Sequence, residues 1–132
     1  MDGSGTKHDP WQLTTAPGSS SYTMYRDDEA GLLVCQVGST KLTYLASAVD
    51  DLHQWLREQG DWVPLGAADE KKPAPEGSVE AFGRSEDNPV GGWYGQRNGY
   101  RGRFGMYLPP LLEALGLVEL EHNPRNNRVR AL

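Results

Sequence analysis

The stretch Leu32-Leu33-Val34-Cys35-Gln36-Val37-Gly38-Ser39-Thr40-Lys41-Leu42-Thr43-Tyr44-Leu45 decides the fold. Two runs of apolar and β-branched residues flank Gly38-Ser39. A two-residue connection with Gly first is the signature of a type II′ hairpin turn. That turn sets the register: Val37 faces Thr40, Cys35 faces Leu42 and Leu33 faces Tyr44. Side chains alternate with a period of two, so Leu33, Cys35, Val37, Leu42 and Tyr44 share a dry face. Gln36, Lys41 and Thr43 share the wetter one, which predicts an antiparallel sheet buried on one side.

Upstream of this hairpin, Tyr22-Thr23-Met24-Tyr25 reads as another strand and Asp27–Gly31 as a turn. Residues 1–20 read as a loose arm with Trp11 and Leu13 as its only large apolar anchors. Downstream, Ser47 stands in an N-cap position with Asp50 three residues on, a capping-box-like pattern. Ala48, Val49, Leu52, Trp55 and Leu56 make a helical stripe, and Gly60 is placed to end the helix with positive φ. Asp61–Leu65 returns as an edge strand, since Pro64 cannot donate to a central ladder. Residues 21–66 thus read β-β-β-α-β.

Residues 67–77 are a polar, Pro-containing connector. Residues 78–132 hold the rest: a short helix over Ser78–Arg84, a long turn at Asn88-Pro89 and Gly91-Gly92, and a loop. Six of the 16 glycines fall in residues 91–105. Pro109-Pro110 is expected in the first turn of a helix, where a missing N–H costs nothing. Leu111, Leu112 and Leu115 form its buried stripe, and Gly116 ends it. Leu117–His122 and Asn127–Leu132 form a hairpin around a type I turn at Asn123–Asn126. Its register opposes Glu121 to Arg128, Leu120 to Val129 and Glu119 to Arg130, with charges on one face and apolar residues on the other.

Composition bounds these readings. Leu, Ile, Val and Phe supply only 25 of 132 residues, but twelve aromatic residues compensate, and a formal net charge of −5 is too small for disorder by repulsion. The expectation is one soluble domain over residues 1–132 with a small core. No apolar run approaches the ~20 residues of a membrane span, and the first residues lack the apolar core of a signal peptide. A single cysteine forms no internal disulfide, so cytoplasmic is the expected location. Cys35 falls on the dry sheet face and reads as a buried thiol rather than a nucleophile. His8, His53 and His122 have no paired-ligand spacing, so no metal and no cofactor is expected. His122 is expected to bond locally beside the turn.

Charge is uneven. Residues 1–80 carry a net of −7 and residues 81–132 a net of +2. The basic half contains Trp93-Tyr94-Gly95-Gln96-Arg97-Asn98-Gly99-Tyr100-Arg101-Gly102-Arg103-Phe104. Arginine gives bidentate contacts to phosphate, and aromatic rings stack on bases. The bland reading of the same loop has the rings packed inward and the arginines paired with carboxylates.

Two resemblances rest on quoted residues. Leu115-Gly116-Leu117-Val118-Glu119 with Asn123-Pro124-Arg125-Asn126-Asn127-Arg128-Val129 resembles the end of a winged-helix domain of the multiple-antibiotic-resistance regulator type. That resemblance implies a wing tip, matched by Arg125 and Asn127, that reaches nucleic acid. The match departs from the pattern in its recognition helix, since Pro109–Leu115 carries no residue to read a major groove. Asp87-Asn88-Pro89-Val90-Gly91-Gly92-Trp93-Tyr94, Arg101-Gly102-Arg103-Phe104 and Tyr107-Leu108-Pro109-Pro110-Leu111-Leu112-Glu113, with Val34–Thr40 upstream, are similar to a group of short uncharacterised actinobacterial proteins. These are classed as a domain of unknown function. That similarity implies a self-contained bacterial protein and transfers no site.

The fold class expected is α+β: a small antiparallel meander with one packed helix, then a Gly/Arg/aromatic loop, a short helix and a winged-helix-like C-terminal hairpin. The leading functional expectation is a binding module for nucleic acid rather than an enzyme. Arg97, Arg101, Arg103 and Arg125 would hold phosphates, and Trp93 and Tyr100 would stack. The alternative is a pocket for a small anionic metabolite at the same loop, in a binding protein or an enzyme. A third reading is a structural or partner-binding protein, such as a homodimer pairing acidic with basic halves.

Overall fold

A computed structural model describes residues 3–67, 72–95 and 103–132. Four strands, β1 (Trp11–Thr14), β2 (Ser21–Asp27), β3 (Leu32–Val37) and β4 (Thr40–Leu45), form an antiparallel meander in chain order. Val37 pairs with Thr40, Cys35 with Leu42 and Leu33 with Tyr44, the register set by the Gly38-Ser39 turn. Helix α1 (Ala48–Gln59) follows, ended by Gly60 at φ 69°. Next come β5 (Val63–Pro64), α2 (Val79–Arg84), α3 (Phe104–Ala114), β6 (Val118–Leu120) and β7 (Arg128–Ala131). The last hairpin pairs as expected, Glu119 with Arg130 and Leu120 with Val129. The architecture is α+β.

Four expectations are corrected. The stretch expected as a loose arm holds a strand: Trp11 and Leu13 alternate with exposed Gln12 and Thr14, and Trp11 pairs with Met24 as an edge strand of the meander. Burial of Trp11 at 3% exposure supplies what the polar composition of the arm lacks. Strand β5 does sit on an edge, but beside β7 in a second sheet of order β5-β7-β6. Ser47 occupies the N-cap position of α1 without a side-chain cap bond, because its backbone is itself helical (φ −63°, ψ −13°).

The fourth correction concerns α3, which starts at Phe104, so Pro109 and Pro110 lie inside it and not in its first turn. They remove the N–H groups that would reach the Gly105 and Met106 carbonyls. The helix still starts early because the buried Glu80 of α2 accepts the Gly105 N–H at 2.9 Å. A carboxylate at a helix N-terminus is also favoured by the helix dipole. At the other end Gly116 takes φ 76°, and the Leu117 N–H reaches the Leu112 carbonyl at 3.0 Å.

Helix α3 is the hub. It packs on β1, α1, α2 and β6, and Leu108, Leu111 and Leu112 are fully buried. Tyr22 ties it to the meander by donating its hydroxyl to the Tyr107 carbonyl at 2.8 Å. One continuous core therefore joins both sheets.

Candidate functional site

Three of the six residues expected to bind nucleic acid, Arg97, Tyr100 and Arg101, lie outside the described residues. Trp93 is half-buried and packs edge-on against Tyr44 and Phe104, with centroids 6.1 and 6.2 Å away. A Cβ on Gly95 would fall 2.0 Å from Trp93 Nε1, so backbone closes over that edge of the ring. Arg103 caps α3 with a left-handed backbone (φ 72°), and its charge partly offsets the effect of burial on the Tyr107 hydroxyl. Arg125 is exposed at the tip of the β6–β7 turn and makes no hydrogen bond or ion pair with the described residues.

The structure does not bring Arg103 and Arg125 together. Arg103 caps the N-terminus of α3. Arg125 follows His122, whose Nε2 meets Glu113 at the C-terminal end of that helix, about 15 Å away along its axis.

Eight of the eleven residues of α3 are buried, so no face of it is presented to a groove. Arg128 and Arg130 are held by Glu121 and Glu119 at 2.9 Å each, and both lie over the Trp62 ring. Asn127 is buried: its side chain holds both the N–H and the carbonyl of Asn123, at 2.6 and 2.9 Å. His122 bonds far from its own turn. Its Nδ1 faces the Ala16 carbonyl at 2.8 Å, and its Nε2 faces the Glu113 carboxylate at 2.5 Å.

A concavity among the described residues lies elsewhere. A cleft of about 520 Å³ opens between α1 and α2. Trp55 and Phe82 stack in it at 4.8 Å and 23°, and Phe82 stacks in turn on Tyr94 at 6.0 Å. Asp51 and Glu58 line it from α1; Glu76 and Asp87 line it from the segments flanking α2. Among the described residues no Lys or Arg lines it, and none of the four carboxylates has an ion-pair partner. Ser78 starts this wall by accepting the Ala81 N–H at 3.1 Å. Asn88 closes it: its Nδ2 donates to the carbonyls of Phe82 and Gly92 at 2.8 and 2.7 Å.

These elements extend across the whole chain, and a family model matches residues 3–132. The chain belongs to DUF6855, a family of unknown function. No curated protein and no solved structure matches it.

In this DUF6855 chain the cleft gathers carboxylates beside stacked aromatic rings. Tyr94 donates its hydroxyl to Asp51 Oδ2 at 2.9 Å. Burial, and then that hydrogen bond, push the Tyr94 hydroxyl above its ordinary range, so it stays a donor. Among the described residues no group of three or more His, Cys, Asp or Glu side chains is placed to hold a metal ion. The carboxylates are spread around an aromatic floor, which favours an organic cation over a compact one. Cys35 is fully buried, and burial pushes its thiol up to about 12, so it offers no nucleophile.

The expected site and the observed cleft share no residue. The signal for the cleft was the spacing Asp51, Trp55, Glu58, which shares Trp55 with the apolar stripe of α1. Asp51 alone reads as a favourable charge at a helix N-terminus, which hides it.

Proposed function

We propose that this protein is a binding module whose ligand carries positive charge and sits in the cleft between α1 and α2. One observation carries the reading: four carboxylates without ion-pair partners among the described residues surround a stacked Trp55–Phe82 floor. Trp55 is the partly exposed ring of that floor; a cation against its face gains from the ring quadrupole, and nearby carboxylates add Coulomb attraction. Like charges gathered on one rim repel each other, and a bound cation relieves that repulsion. Titration of the protein with alkylammonium and guanidinium compounds at low salt, followed by tryptophan fluorescence, tests it. A saturable response that weakens with added salt and with Asp87→Asn is expected. The absence of any response to every cation would overturn the reading.

Nucleic-acid binding is a second proposal, for one reason. Arg125 has no ion-pair partner among the described residues and stands at a hairpin tip, and α3 running into β6 and β7 is the order of the winged-helix unit that this segment resembles. Phosphate-driven binding is strongest at low salt. Labelled DNA and RNA at ~50 mM salt should then bind, and Arg125→Ala should weaken both alike.

A further inference from the structure

We infer that the ligand of this cleft is a linear dication, an α,ω-diamine or polyamine lying along α1. The inference rests on the proposal that the cleft takes a cation and goes one step further, to the shape of that cation. Asp51 and Glu58 are seven residues apart on α1, which puts them on one face about 10 Å apart along the axis. Trp55 lies between them. The facing wall repeats the pattern, with Glu76 before the N-terminus of α2 and Asp87 beyond its C-terminus, on either side of Phe82.

Each wall therefore carries one carboxylate on each side of an aromatic ring. The two rings stack on each other at 4.8 Å. A compact monocation can meet one pole only. A chain with an ammonium at each end and methylenes between meets both poles and lays its apolar centre against the partly exposed Trp55. The one Lys or Arg of α1, Arg57, lines a separate cleft with Glu119 and Arg130 and does not supply an internal counter-charge. The volume, about 520 Å³, lies within the range of small-ligand sites.

Calorimetric titration at low salt with α,ω-diamines of increasing length tests this, with n-alkylamines of the same lengths as controls. Affinity is expected to rise with length and to level off once the amino groups are about 10 Å apart. At that length the diamine should bind at least about tenfold tighter than its monoamine. Glu58→Gln, an exposed change that leaves the core intact, should cut diamine affinity about five- to tenfold and leave the monoamine nearly unchanged if the monoamine sits at the Asp51 pole. Asp51→Asn removes the pole that both ligands use and should weaken the diamine and the monoamine alike. Diamines and monoamines binding equally, at every length, would overturn the two-pole reading and leave cation binding standing. No binding of either would overturn both.

Discussion

Replacing Glu80 by alanine should be the most costly single polar substitution in the fold. Glu80 is fully buried. Its Oε1 accepts the Gly105 N–H at 2.9 Å and its Oε2 accepts Arg84 Nε at 3.1 Å. Alanine leaves the Gly105 donor unpaired inside the first turn of α3, a loss of about 2 kcal/mol. Arg84 keeps 21% of its side-chain surface in water and can rehydrate. Losing its partner therefore costs about 1 kcal/mol, well below the figure for a fully buried pair. The sum, about 3 kcal/mol, corresponds to a Tm lowered by roughly 10 °C in a domain of this size. Glu80→Gln keeps an acceptor for Gly105 and should lose only about 1 kcal/mol. Calorimetry and urea denaturation of the two variants measure both numbers. If Glu80→Ala stayed within about 0.5 kcal/mol of the parent, the view of Glu80 as the device that starts α3 would be wrong.

Other outcomes follow from single contacts. Gly83→Ala places a Cβ 2.5 Å from the buried Phe104 ring, so it should destabilise by about 2 kcal/mol although alanine is the better helix former. Urea denaturation decides the sign. Cys35, with its thiol pushed up to about 12, should resist a thiol-specific reagent in the native state and react at once when the chain is unfolded.

His122 is raised above its ordinary value, first by its bond to Glu113 and then by the Ala16 carbonyl. Its protonated form is thus favoured in the folded state. The stability it contributes is complete below about pH 6.5 and is lost as pH rises through the higher folded value. With 51% of the side chain in water the slope is shallow. Denaturation between about pH 6 and pH 8 should show it, and His122→Asn should flatten it.

The parts of the fold legible in the sequence are those governed by local rules. Gly38-Ser39 dictates a turn, the turn dictates a register, and the period of two then buries Leu33, Cys35, Leu42 and Tyr44 together. The Glu–Arg ladder of the last hairpin follows the same logic. What was not legible depends on partners far along the chain. Trp11–Thr14 shows only two alternations in a polar segment, and its partner β2 lies ten residues on. Pro109-Pro110 marks a helix start by local rules, yet a carboxylate 25 residues earlier starts the helix before them.

The candidate site was illegible for a related reason. The Arg and aromatic residues of 93–104 make the loudest local signal, but Trp93 is needed in the core and Arg103 caps α3. The carboxylates of the cleft come from three separated segments and gather only when α2 docks on α1.

The most direct measurement is an amide and indole chemical-shift map of the protein titrated with a long α,ω-diamine at low salt. Binding as described would move the Trp55 indole and the amides of Asp51–Glu58 and Ser78–Asn88, saturably and together. Shifts confined to other faces, such as the Arg125 turn, or no shifts at all, would contradict a cation site between α1 and α2.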